Sequence, residues 1–166
     1  MRFVALALFA ATTVFVSVGP AVVAAPVPKA AENPDLTAMQ GKWTLTDIAF
    51  NGQSLGAEFA AKLEMTMEVR DNTTVTTGLQ HKQRVTNMIA LDATANPRRV
   101  TTTTTAETDL DGKPVANPAA KKKGVAIYKI ERDTLVIAGV MGDEENAPKG
   151  FADKGVVSMT FTRVKK

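Results

Sequence analysis

The chain contains no cysteine and a single histidine. The first absence removes disulfides, thiolate metal centres, a cysteine nucleophile and a lipidated N-terminal cysteine together. An oxidising compartment stays open to the protein, but covalent cross-links do not hold this fold. Aromatic residues make up 5% of the sequence, with one Trp and one Tyr, so the core has to be built from aliphatic side chains, Met and Thr. Serine is scarce too. Beyond residue 25 only Ser54 and Ser158 remain, and neither sits in a Gly-x-Ser-x-Gly elbow. His81 lies in Gln80-His81-Lys82-Gln83-Arg84, a polar run suited to a solvated turn rather than to a catalytic base. An enzyme is therefore not expected.

Charge of one sign is also in short supply. Lys and Arg total 20 against 17 Asp and Glu, a net +3 that defines no class of partner. Arg98-Arg99 and Lys121-Lys122-Lys123 lack the interleaved aromatics on which bases stack. No nucleic-acid partner is expected, and both runs suit solvated loops or protected strand edges. Glu107-Thr108-Asp109-Leu110-Asp111-Gly112 alternates carboxylates before a glycine, but the closing Glu of an EF-hand is missing. An ordinary acidic turn is expected there and at Asp143-Glu144-Glu145, with no metal and no cofactor.

What is present begins with a leader. Met1-Arg2 is positive, Phe3 to Phe15 is almost wholly apolar, and the run ends in the small residues Val22-Val23-Ala24-Ala25. This is the pattern of a secretory signal, residues 1–25. An uncleaved anchor is the competing reading, but Gly19-Pro20 interrupts the run. The protein is expected to be exported, periplasmic or extracellular, with no stable membrane insertion after cleavage. Residues 26–35 form a proline-rich linker, and residues 36–166 a single domain.

Within that domain Asp35 is expected to cap a short helical turn running to Gln40. Trp43 and Leu45 then share one face, whereas Ile48 and Phe50 carry the apolar side further on. One extra residue at Thr46-Asp47, a β-bulge, accounts for the slip. Asn51-Gly52 is a turn. Ser54 is placed to cap a helix reaching Lys62, with Leu55 and Phe59 on the face that closes one end. Leu63, Met65, Met67 and Val69 alternate with Glu64, Thr66, Glu68 and Arg70, the period of a half-buried strand. After Asp71-Asn72 a further strand carries Val75, Thr77 and Leu79, and the next places Val85, Asn87, Ile89 and Leu91 on one face. Val100 to Thr105 has strand preference but no evident inner face. Val125–Ile130 and Leu135–Val140 make a tight hairpin, and the last strand aligns Val157, Met159, Phe161 and Arg163. No strand alternates with a long helix, so a parallel α/β sheet is excluded. The expected fold is all-β: about eight antiparallel strands in an up-and-down barrel, with a short helix near one end.

Arg163 falls on the inward face of its strand and needs a partner there. If the first and last strands are neighbours, its guanidinium can lie over Trp43, with its other donors on carbonyls at the barrel end. Gly41, Trp43 and Arg163 are the expected seam. Gln40-Gly41-Lys42-Trp43, Gly52, Gly124 with Ile127-Tyr128, Asp133-Thr134-Leu135 and Arg163 form an ordered set. Together they resemble the lipocalin-type barrel pattern, and more closely a family of small exported bacterial domains common in planctomycetes. This chain departs from that pattern in the Gly124–Tyr128 spacing, in Ala138 or a neighbour where the family has a cysteine, and in Ala147-Pro148-Lys149 where it has Arg-Pro. The resemblance implies a lipocalin-like barrel.

Flexible thioethers suit an adaptable apolar cavity, and equally a solid core short of aromatics. The candidate ligand-binding residues are Met65, Met67, Ile89, Tyr128, Met159 and Phe161. The partner expected on this reading is a small hydrophobic molecule inside the barrel. The alternative is a filled barrel, structural or protein-binding, that works through loops 109–123 and 141–155.

Overall fold

Alternating side chains and short turns produce one antiparallel sheet whose two edges meet. The computed structural model describes residues 33–79, 82–115, 122–140 and 146–165. The leader and most of the linker, His81, Lys121 and Asp143-Glu144-Glu145 lie outside the described residues. The elements are α1 (Pro34–Met39), β1 (Gly41–Phe50), β2 (Gln53–Ser54), α2 (Ala57–Leu63), β3 (Met65–Arg70), β4 (Thr73–Gly78), β5 (Gln83–Asp92), β6 (Arg99–Asp109), β7 (Lys123–Glu131), β8 (Thr134–Val140) and β9 (Val156–Arg163). The strand order is β2-β1-β3-β4-β5-β6-β7-β8-β9, and β1 also pairs with β9. β2 is a two-residue stub on the end of β1, so the closed ring has eight strands in up-and-down order. No helix among the described residues is long and apolar enough to cross a membrane.

The seam runs along β1 and β9. Trp43 is the register partner of Arg163, Leu45 of Phe161, Ile48 of Met159 and Phe50 of Val157. The register shifts between Leu45 and Asp47, where Thr46 is the extra residue. Its hydroxyl lies 3.2 Å from the Thr160 carbonyl and 3.2 Å from the Thr162 hydroxyl, which gives the bulged residue polar partners. The hairpins follow turn chemistry. Asn51 and Gly52 both have positive φ, +50° and +77°, as a two-residue hairpin turn between twisted strands requires. Arg132, in the loop between β7 and β8, has φ +51°.

The main core fills the barrel: Trp43, Leu45, Met67, Val69, Tyr128, Leu135 and Phe161 are all buried in it. A second, smaller cluster lies on the other face of the wall. Ile127, Ala138 and Val156 are buried there beneath Ala147 and Phe151. Residues on opposite faces of β7 thus serve different cores, Tyr128 inside and Ile127 outside.

Four local expectations are corrected. The cap of α1 is Asn33, whose side chain accepts from the Asp35 amide at 3.0 Å. Pro34 occupies the first helical turn, where a missing N–H costs nothing, and Asp35 is released for another role. At the other end α2 begins after Gly56 with no side-chain cap. The Ser54 hydroxyl bonds Asp47 Oδ1 at 2.7 Å instead. The face α2 buries is Ala60, with Leu63 packed beside it, whereas Leu55 and Phe59 are exposed. Finally, β4 turns Thr74 and Thr76 inward, not Val75 and Thr77, because Met67 opposes Thr76 and Val69 opposes Thr74.

Candidate functional site

The two barrel ends differ in construction. At one end α1 lies across the opening and inserts Leu36 and Met39 into the core. A short helix leaves its last carbonyls without intrahelical partners, and here side chains from elsewhere take them. Gln40 Nε2 donates to Leu36 O at 2.9 Å and the Trp43 indole N–H to Met39 O at 2.8 Å. Arg163 donates to the carbonyls of Ala38 and Gln40, and its Cζ lies 4.1 Å from the Trp43 ring centroid. Gln40 also holds the β3–β4 turn by accepting from the Asp71 amide at 2.8 Å and donating to the Asp71 carbonyl at 2.9 Å. Gly41 has φ +114°, and a Cβ there would stand 3.2 Å from Arg163 Nη1.

Asp35 completes this closure. It is buried at the start of α1 and accepts from the Tyr128 hydroxyl at 2.6 Å and from Arg98 Nη1 at 3.0 Å and 3.1 Å. Burial first, then the hydrogen bond to Asp35 and that residue's charge, push the Tyr128 phenol well above its ordinary pKa.

Above this floor lies a cavity of about 160 Å³. Met65 and Met67 reach it from β3, Ile89 from β5, Met159 and Phe161 from β9, and Met39 from α1. Five of the six candidate residues therefore line one chamber. Tyr128 is not among them: its ring packs in the core at the α1 end and its hydroxyl is committed to Asp35. No charged side chain lines the chamber. Its polar part consists of Thr74, Thr76, Asn87 and Thr102, none of them a candidate from the sequence. The turn Asp71-Asn72 held the missing signal: a two-residue hairpin after Arg70 sets Met67 opposite Thr76.

Toward the α2 end the chamber shares Asn87 and Thr102 with a second, wider space of about 360 Å³. Gly124, Ala126 and Gly139 give this vestibule room, and Glu107, Lys122 and Lys123 bring charge to it. Close by, the Glu107–Gly112 segment forms the end of β6 and a turn, in which Asp109 Oδ1 accepts from the Lys113 amide at 2.8 Å. No group of three or more His, Asp or Glu side chains converges among the described residues.

The arrangement defines an antiparallel up-and-down barrel with a latched floor, an apolar chamber and a polar-rimmed vestibule. No protein-family model, curated protein or solved structure matches the chain.

Proposed function

We propose that the protein is an exported, lipocalin-like binding domain that holds a small apolar molecule inside its barrel. The carrying observation is the 160 Å³ chamber walled by Met65, Met67, Ile89, Met159 and Phe161. A dry cavity of roughly 150 Å³ accommodates a benzene-sized guest, and thioether walls adapt to guests of different shape. On this reading the protein holds its guest rather than transforming it. The apolar leader, residues 3–25, supports export to the periplasm or beyond.

Methionine supplies the test. With 13C-methyl Met labelling, Met39, Met65, Met67 and Met159 report from the chamber, and Met88, which is exposed, serves as the internal control. Titration with toluene is expected to shift the four chamber signals and leave Met88 in place. A solid barrel working only through its loops gives no response in those four signals up to the solubility limit of toluene, and that result would reject the container.

A further inference from the structure

The polar residues of the chamber are arranged, not scattered. Cross-strand partners lie on the same face of a sheet. Thr74 pairs with Asn87, and Asn87 with Thr104. These three therefore form one inward row across β4, β5 and β6, flanked on the same face by Thr76 and Thr102. β9, which carries Met159 and Phe161, stands across the ring from β5. The chamber thus has a hydrogen-bonding side and an apolar side.

Asn87 is the centre of the polar side. Its Oδ1 accepts from the Thr104 hydroxyl at 2.9 Å. That bond orients the amide and leaves the two N–H donors of Nδ2 uncommitted, where the half-buried Asn87 lies between the chamber and the vestibule. No acceptor among the described residues engages Nδ2. Among the described residues no buried side-chain N or O lacks a hydrogen-bond partner, so Nδ2 is open to solvent; a pure hydrocarbon guest would exclude that solvent and leave the donors unanswered, which is costly. A carboxylate or ammonium guest meets no charged side chain in the chamber, so its charge would be desolvated without a partner. What remains is a neutral guest with one acceptor.

We infer that the chamber selects a small uncharged carbonyl compound, of one ring or a short acyl chain, whose body lies among Met65, Met67, Met159 and Phe161 and whose carbonyl oxygen accepts from Asn87 Nδ2. This rests on the container reading proposed above and adds to it the chemistry of the guest. Thr104 is then a positioning residue, because it fixes which end of the amide faces the guest.

Three probes of similar size separate the possibilities: toluene, acetophenone and benzoate, each titrated against the Met methyl signals. Acetophenone is expected to bind about tenfold more tightly than toluene, the effect of one satisfied hydrogen bond, and benzoate to produce no shift. Asn87→Leu should bring acetophenone down to the level of toluene without weakening toluene. Thr104→Val should give an intermediate preference, and it decides the matter if Asn87→Leu fails to fold. Equal affinity for toluene and acetophenone in the unaltered protein, or tightest binding by benzoate, overturns the carbonyl inference and leaves the container standing. No binding of any probe removes the container itself, and the inference with it.

Discussion

Arg163 ties β9 to β1 and to the end of α1, and its sequence position gives the reason. It ends β9 on the inward face, directly across from Trp43, where the guanidinium meets a ring face, two carbonyls of the α1 end, and Asp133 Oδ1 at 3.5 Å. A planar fork can serve the ring and the carbonyls together, whereas an ammonium cannot. Arg163→Ala is expected to cost about 2–4 kcal/mol from the cation–π contact and the charge-assisted bonds. For a domain of this size that lowers the melting temperature by roughly 6–16 °C, measurable by circular dichroism, and Arg163→Lys should recover less than half of the loss. Gly41→Ala tests the same contact from the other side. The added methyl both strains a left-handed backbone and crowds Nη1, so a loss of about 1–3 kcal/mol is expected. In the Arg163→Ala background the crowding disappears and only the backbone strain remains. The two losses should therefore combine to less than their sum; strict additivity would show that the methyl and the guanidinium do not compete for space.

At the scale of elements, the floor helix α1 shows why some of the structure was legible and some was not. The seam and the bulge follow from phase. Trp43, Leu45, Ile48 and Phe50 share a face only if one residue at Thr46-Asp47 is extra, and an inward Arg163 demands a partner on a neighbouring strand. The inner faces of β4 and β6 do not follow from phase, because runs of threonine carry no hydrophobic alternation to read. Only register against β3 and β5 reveals that Thr74, Thr76, Thr102 and Thr104 face inward. Asp35 was similarly hidden. A residue suited to capping does not advertise that Asn33 caps instead, nor that its own carboxylate meets Tyr128 and Arg98, 93 and 63 residues away. This latch gives α1 a pH signature. The folded state holds the Tyr128 phenol protonated above its ordinary range, so its contribution is complete below about pH 10 and is lost as pH rises beyond that, where the unfolded chain ionises first. Tyr128→Phe should be less stable by about 1–2 kcal/mol at neutral pH, since Asp35 loses a buried donor. Its stability should also fall less steeply with pH above about 10. Because Tyr128 is the only tyrosine, near-ultraviolet absorbance follows its ionisation directly. A phenol that titrates in the ordinary range while the protein is still folded would break the latch argument.

At the scale of the whole domain, the described strands form a ring in which every barrel strand has two neighbours, so among the described residues no long barrel edge is left open to another chain. On the proposed binding reading, closure also fixes where a guest would enter. The α1 end is blocked by the helix, Met39 and the Trp43–Arg163 stack, and the vestibule at the α2 end leads past Asn87 to the chamber. Gly139 lies in the wall of that vestibule, and a Cβ built on it meets nothing within 4 Å. Glycine weakens a strand interior, and its register partner Val157 packs on the main core with no side chain beside it on β8 at position 139. Filling this space should therefore help the fold and hinder its use. Gly139→Val is expected to raise stability by about 0.5–1 kcal/mol, while narrowing the path to the chamber and slowing guest association. The two effects are separated by measuring melting temperature and the rate of toluene uptake on the same sample. A stabilised protein that still exchanges guest at the original rate would mean that entry runs elsewhere, through opening of α1 at the floor. Weakening the Asp35–Tyr128 latch would then speed exchange, as Tyr128→Phe would reveal. If entry runs through the vestibule, Tyr128→Phe leaves the exchange rate unchanged and Gly139→Val lowers it, because the Asp35–Tyr128 bond belongs to the α1 end and Gly139 to the wall of the vestibule.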